Sequence, residues 1–330
     1  MRKKKICLIS TGGTIASEKG EYGLRPEVTA KKIITMMPEL ADFCEIEFEE
    51  ILQLDSSNLL PEHWQLMART IAKHYDKCDG FVLSHGTDTM AYSAAALHFM
   101  LKNLAKPVVL TGSQLPIEEE HSDARGNLLA AFHAAVSSRP GVYIAFDGHI
   151  IDGKAAKKLY TKDFHAFHSI NQPEAGIFEG QDILWQTPAP RVFGEFTLID
   201  KLDTHIAVLK LFPGVEPELL KMMIDAGYHA IIIEGYGLGG VPNADSPKNF
   251  LPMIEYAMQR GVLIVCATQC TYDGVQLDFY EVGVMAERLG AISAGHLTIE
   301  ALVPKLMLLL GRNRAHASVK RGIEVEDQLS

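Results

Sequence analysis

Short runs of Val, Ile, Leu and Phe recur along this chain and alternate with longer amphipathic stretches. The apolar runs lie at 5–10, 80–85, 107–112, 141–147, 205–212, 230–235 and 263–268. Helical patterns fall between them, near 29–40, 61–76, 89–104, 123–138, 216–227, 248–260 and 298–310. Val and Ile dominate the runs without polar alternation, which implies burial on both faces and therefore a parallel sheet. Strands alternating with helices throughout predict an α/β fold, doubly wound. The rhythm breaks at Thr187-Pro188-Ala189-Pro190, which suits neither helix nor strand. The expected organisation is a larger N-terminal domain over 1–187, a linker over 188–204 and a smaller α/β domain over 205–330. The polar tail from Arg312 onward is expected to fray.

The ends of the N-terminal strands share a chemistry. They read Ser10-Thr11-Gly12-Gly13-Thr14, Ser84-His85-Gly86-Thr87-Asp88, Thr111-Gly112-Ser113-Gln114 and Phe146-Asp147-Gly148. Open parallel sheets bind ligands at the carboxyl ends of their strands. An edge rich in Gly, hydroxyls and carboxylates, with little fixed positive charge, suits a small polar substrate. The second of these ends leads into Met90-Ala91-Tyr92-Ser93-Ala94-Ala95-Ala96-Leu97, a helical run that Asp88 or Thr89 can cap. One decoy stands in the C-terminal half. Gly235-Tyr236-Gly237-Leu238-Gly239-Gly240 matches a dinucleotide fingerprint, but Val241-Pro242 follows where a helix should open. A glycine-rich turn is the better reading there.

Composition narrows the partners. The 330 residues carry a formal charge of −10, which argues against nucleic acid, since phosphate binding needs a clustered basic surface. The basic runs are Arg2 to Lys5 and Lys154 to Lys158. No apolar stretch reaches membrane-spanning length, so no membrane partner is expected. Met1-Arg2-Lys3-Lys4-Lys5 precedes apolar residues as in a signal peptide, but Ile6-Cys7-Leu8-Ile9 is too short for one and leads directly into Thr11-Gly12-Gly13-Thr14. It reads as the first core strand of a cytoplasmic protein. The five cysteines are scattered at 7, 44, 78, 266 and 270 and lack zinc-ligand spacing, so neither a metal nor a cofactor is expected.

Thr14 follows two glycines, which lets its hydroxyl project where the backbone approaches a substrate closely. A threonine hydroxyl is a poor nucleophile until a base takes its proton, and no Ser-His-Asp or Cys-His motif is present. Lysine can be that base when desolvated and steered by a carboxylate such as Asp88. Lys154, Lys157 and Lys158, just past the fourth strand, can reach this edge, and spacing alone does not choose among them.

Thr11-Gly12-Gly13-Thr14-Ile15-Ala16 together with His85-Gly86-Thr87-Asp88-Thr89-Met90 resembles the paired signatures of the bacterial-type L-asparaginase family. Asp55-Ser56-Ser57 and Thr111-Gly112-Ser113-Gln114 extend the resemblance over nearly the whole chain, towards the cytoplasmic type I branch. The resemblance implies hydrolysis of L-asparagine to L-aspartate and ammonia. It implies Thr14 as nucleophile, with Thr87, Asp88 and Lys158 as a second triad that activates water or assists Thr14. Asp55, Ser56 and Ser57 would hold the substrate's α-amino and α-carboxylate groups. The N–H groups of Gly13 and Thr87, or Ser113, would stabilise the oxyanion. Family members are usually homotetramers built from intimate dimers, with each site completed by the partner's C-terminal domain, so a homodimer or homotetramer is expected here. Two places depart from the pattern. Tyr22 is the one tyrosine in the loop where an assisting tyrosine is expected, yet aligning Gly23-Leu24-Arg25-Pro26 puts Leu24 near that position. Gly239-Gly240 stands where relatives offer a partner-donated asparagine, with Asn243 three residues on.

Three competing readings remain: a mixed glutaminase-asparaginase, an amidase acting on a glutaminyl group carried by a larger molecule, and an amino-acid-binding module without turnover. A binder needs no nucleophile, so intact Thr14, Thr87, Asp88 and Lys158 count against the last.

Overall fold

The computed structural model describes residues 2–20, 23–26 and 29–325. The chain divides into two compact units, Met1–Asp200 and Lys201–Ser330. The first is built on an eight-stranded sheet, in the order Asp182–Trp185, Gly176–Glu179, His149–Asp152, Gly141–Phe146, Pro107–Thr111, Gly80–Ser84, Lys4–Gly12, Cys44–Leu54. The five strands from Gly141–Phe146 to Cys44–Leu54 run parallel, as the unbroken apolar runs predict. The other three are antiparallel additions that extend the edge.

The central strands are buried on both faces, because residues of both parities are covered: Cys7 and Ile9 with Ile6 and Leu8, Phe81 and Leu83 with Val82. One face packs Ile6, Leu8, Val82, Val109 and Tyr143 against the alanine-rich helix Ala124–Val136 and against Ala30 and Ile33. Fully burying an Ile, Leu or Val side chain contributes roughly 1.5–3 kcal/mol. This packing supplies the rigid platform from which the strand ends project.

Three sequence expectations change here. Cys44–Leu54 is an edge strand that the apolar pattern does not show. It alternates acids with apolar residues, and its glutamates meet cations: Glu47 pairs with Lys5, and Glu49 with Lys73 at 2.8 Å. The stretch 188–204, expected as a linker, is held to the first unit over most of its length. Thr197–Leu198 pairs with Leu101–Lys102, Phe196 stacks on Tyr75 at 3.9 Å, and Arg69 Nε meets Asp200 at 2.7 Å. The expected frayed tail instead carries a helix, His316–Glu324, which buries Val319, Gly322 and Ile323.

The second unit holds a parallel four-stranded sheet ordered Ile206–Lys210, Ala230–Gly235, Leu263–Thr268, Ile292–Ser293. Its core joins Ile231, Ile233, Ile264 and Cys266 to Leu220, Phe250 and Ile254. The glycine-rich decoy after Ala230–Gly235 folds back on itself, with Tyr236 bridged to Gly240, and the next helix waits until Leu251. Among the described residues, no helix is long and apolar enough to cross a membrane.

Candidate functional site

Glycine brings the strand ends together. Gly12 ends the first strand and Gly13 follows it, with φ of 103° and 83°, a left-handed conformation that side chains resist. A Cβ on Gly13 would lie 2.3 Å from the Gly86 nitrogen, and one on Gly12 would lie 2.5 Å from the Leu54 oxygen. A Cβ on Gly86 would lie 2.7 Å from both Cβ and Oγ of Ser56. One on Gly112 would lie 2.3 Å from the His85 carbonyl oxygen. The backbones of the first, second and third strand ends and of the Asp55–Ser57 turn therefore touch where any larger residue would force them apart. Thr14 and Thr87 each follow one member of the Gly13–Gly86 contact.

Hydroxyls fasten the same junction. Thr11 Oγ1 donates to the Ser84 carbonyl at 2.8 Å, and Thr89 Oγ1 donates to the Ser56 carbonyl at 2.9 Å. Thr89 stands at the N-cap of the helix Met90–Met100, yet its side chain makes no capping bond there. Asp88 does not cap either. The capping expectation is replaced by a different use of both side chains, because partners across the site compete for them.

Asp88 turns to Lys158. The segment 156–158 is one strand of an antiparallel hairpin with Phe167–Ser169, in which Lys158 stands opposite Phe167 and Lys157 opposite His168. Successive side chains of a strand point to opposite faces. Lys158 faces the strand ends, and its Nζ donates to Thr87 Oγ1 and to Asp88 Oδ1, each at 2.7 Å. The lysine and Thr87 are largely buried, whereas the Asp88 side chain is 61% exposed. Such a triad holds a threonine hydroxyl and an amine in one hydrogen-bonded line, with the carboxylate facing water.

A layer of neutral groups sets the position of Gly86 and Thr87. Trp64 Nε1 donates to Ser93 Oγ at 3.0 Å, Ser93 Oγ lies 2.8 Å from His85 Nε2, and His85 Nδ1 lies 2.6 Å from the Gly86 carbonyl. A carbonyl only accepts, so Nδ1 carries the imidazole proton. His85 is wholly buried, and desolvation lowers its pKa to about 4. The imidazole is therefore neutral over the physiological range. On the third strand end, Asp123 accepts the N–H groups of Gln114 and Leu115, and Asn127 Nδ2 donates to the Gly112 carbonyl. Burial raises the Asp123 pKa, outweighing those hydrogen bonds. Sequence reasoning passes over His85, Thr89, Asp123 and Asn127 as site residues. The His85 and Thr89 positions lie inside the quoted motif, but nothing local reveals the partners that they reach.

The remaining candidates fall as follows. Asp55 accepts the Ser57 N–H at 2.8 Å, which shapes a short 3-10 turn with Asp55 and Ser57 exposed and Ser56 buried. Ser113 is buried, and its hydroxyl donates to the Leu115 carbonyl. The Gly13 N–H donates to the Leu54 carbonyl at 3.1 Å. That bond corrects the expectation of Gly13 as an oxyanion donor, because the first strand end needs the N–H to hold the edge strand. Tyr22 lies outside the described residues.

Comparison with known proteins accords with this geometry. Residues 5–191 match the family described as "Asparaginase, N-terminal", and 205–322 match "Glutaminase/Asparaginase C-terminal domain". The chain is 39% identical over 323 residues to an L-asparaginase of Thermococcus kodakarensis, covering 97% of each chain. A solved structure of the thermostable L-asparaginase from that organism superposes with a TM-score of 0.92 at 38% identity, covering 98% of each. L-asparaginase 1 of Escherichia coli K12 is 36% identical, covering 98% of this chain and 96% of that one. One component of the glutamyl-tRNA(Gln) amidotransferase of T. kodakarensis is also 36% identical, with coverage of 96% of this chain and 74% of that one.

Proposed function

Because this chain belongs to the asparaginase family, we propose that it hydrolyses L-asparagine to L-aspartate and ammonia, with Thr14 as the nucleophile. The observation that carries the reading is the pair of 2.7 Å bonds from Lys158 to Thr87 and Asp88, beside the glycine contact that precedes both threonines. A binding module needs no such line of proton-carrying groups.

In this reading Asp55, Ser56 and Ser57 hold the α-amino and α-carboxylate groups and set the side-chain amide against Thr14. The Thr14 hydroxyl oxygen attacks the amide carbon, and ammonia leaves as the C–N bond breaks, which forms an ester to Thr14. The Thr87 N–H takes the developing oxyanion, and buried Ser113 supports that wall. Water then attacks the ester carbon, and its C–O bond to Thr14 breaks, which releases L-aspartate and restores the Thr14 hydroxyl. Thr87 and Lys158 pass the protons, and Asp88 balances the charge on Lys158. Tyr22, in the sequence after the first signature, is assigned to assist Thr14.

The protein acts in the cytoplasm as a homodimer or homotetramer. Five free cysteines fit a reducing compartment, and the second unit exposes the large apolar side chains of Phe212, Met222, Phe279 and Tyr280, which a second copy could cover. Light scattering reads the oligomeric state directly.

The functional test is ammonia release from asparagine and from glutamine. Glutamine carries one more methylene, and misplacing a reacting carbon by about 1 Å costs roughly a hundredfold. The expected result is kcat/KM for asparagine higher by about that factor. Equal values would favour the mixed glutaminase-asparaginase. Release that appears only when glutamyl-tRNA(Gln) is supplied would place the chain with its amidotransferase relatives.

A further inference from the structure

A second group of titratable side chains lies beyond the fourth strand end and takes no part in the chemistry above. After Phe146 the chain turns through Asp147 and Gly148, with φ of 50° and 76°, and re-enters the sheet at His149. His165, from the loop between the two strands of the Lys158 hairpin, meets this turn. Its Nδ1 lies 3.2 Å from Asp147 Oδ2, and its ring centroid lies 4.3 Å from that of His149. Asp147, His149 and His165 each offer one ligand atom, all within 4.8 Å of one another. His168 follows behind His165 at 4.4 Å between ring centroids, and its Nε2 is shielded from solvent with no hydrogen-bond partner.

We propose that Asp147, His149 and His165 form a site for one divalent transition-metal ion of the zinc class, with Glu174 as its positioning residue. Four-coordinate zinc has bonds of about 2.0–2.1 Å to nitrogen and oxygen, which separate neighbouring ligand atoms by roughly 3.3 Å. The Asp147–His165 separation is already close to this value. Glu174 Oε2 lies 2.6 Å from His149 Nδ1, so the Nδ1–H donates to the carboxylate and Nε2 keeps its lone pair. A carboxylate behind a ligating imidazole is the usual way of fixing the tautomer and raising ligand basicity. Two imidazoles and one carboxylate favour zinc, nickel or copper over magnesium and calcium, which prefer oxygen. All three side chains are partly exposed, so water can fill the remaining coordination position.

Two other groupings of potential ligands among the described residues are less suited. Cys7, His74 and Cys78 are buried, and desolvation pushes the Cys7 thiol up to about 12, which disfavours the thiolate that would bind. In the group of Asp203, His205 and His229, Asp203 already pairs with Arg314 at 2.8 Å and with His229 at 2.9 Å. The Arg314 guanidinium already balances the charge that this carboxylate would offer a metal.

The test uses the full chain, freed of metal with a chelator and titrated by calorimetry with zinc chloride and, separately, magnesium chloride. One zinc per chain is expected, with no binding of magnesium. H149A and H165A should each abolish the zinc heat and the rise in unfolding temperature that zinc produces. Glu174→Gln should keep the stoichiometry and weaken binding about 10–100-fold. H205A, at the competing group, should bind as the wild type does. Circular dichroism on each variant shows that the loss is not one of folding. Absence of zinc binding in the wild type, or zinc binding that survives both H149A and H165A, overturns the proposal. So does binding removed by H205A instead.

Discussion

Replacing Lys158 by Met removes the amine and keeps most of the aliphatic stem, so the change isolates one group. In the wild type that amine donates to Thr87 Oγ1 and Asp88 Oδ1, both at 2.7 Å. Thr87 is 6% exposed and loses a partner that solvent cannot readily replace, a stability cost of about 1 kcal/mol. Asp88 is 61% exposed, and its carboxylate remains in water, so the ion pair adds roughly 0–1 kcal/mol. The folded state should therefore weaken by no more than about 2 kcal/mol. Loss of a positioned proton carrier costs about 10²–10⁴ in rate. At about 1.4 kcal/mol per factor of ten, that is roughly 3–6 kcal/mol of transition-state stabilisation, more than the fold loses. Steady-state ammonia release should show kcat reduced by at least a hundredfold. KM should change little, because the substrate's α-groups are held elsewhere. K157M, on the opposite face of the same strand, should stay near wild type. If K158M keeps more than about a tenth of wild-type kcat, or if K157M suffers the larger loss, the triad is wrongly assigned.

Three further outcomes can be measured. Thr14→Ala should lower kcat by several powers of ten while calorimetry still detects asparagine binding; retention of more than about a tenth of kcat would make Thr87 the better nucleophile. Gly13→Ala should destabilise the fold by more than about 2 kcal/mol and inactivate it, because the new Cβ would meet backbone 2.3 Å away at a φ of 83°. Near-wild-type activity and melting would show that the strand ends can separate at little cost. His85 has a pKa of about 4 when folded, against about 6.5 when unfolded, so between those values the unfolded chain binds the extra proton. Stability from this group is then complete above about pH 6.5 and falls by up to roughly 3 kcal/mol towards pH 4. Urea midpoints measured across that window should fall less steeply for His85→Gln, and identical slopes would refute the assignment.

The parallel core was legible because burial on both faces leaves a simple trace, an apolar run with no alternation. Ile6–Ile9, Phe81–Leu83 and Val108–Leu110 all carry it. Cys44–Leu54 escaped for the opposite reason. An edge strand keeps one side towards water, and its acids are stabilised by Lys5 and Lys73, whose positions say nothing about Glu47 and Glu49 until the fold is known. Residues 188–200 read as a linker because proline excludes helix and central strand alike, but it does not exclude packing. Arg139, stacked on Trp185, reaches the Thr187 hydroxyl and the Pro188 carbonyl there.

Within the site, what could be read depended on how each residue works. Gly12, Gly13, Gly86 and Gly112 act through the absence of a side chain, and that absence is visible wherever the backbones meet. Thr87 and Asp88 are adjacent, so their pairing needed no fold. Lys158 lies 70 residues further on, and its choice over Lys157 rests on strand parity, which a resemblance can suggest and only an extended hairpin explains. His85 and Thr89 show the limit of this reasoning. Both stand in the motif, yet one is spent on Ser93 and the Gly86 carbonyl, and the other on the Ser56 carbonyl. Each holds the backbone beside a residue proposed for the chemistry. A motif records which residue types a site needs, whereas the division between reacting groups and groups that hold them depends on distances. Asp147, His149 and His165 extend the same point. No spacing rule links a turn at 147–149 to a loop 16 residues later, and only the folded hairpin brings the two imidazoles within 4.3 Å.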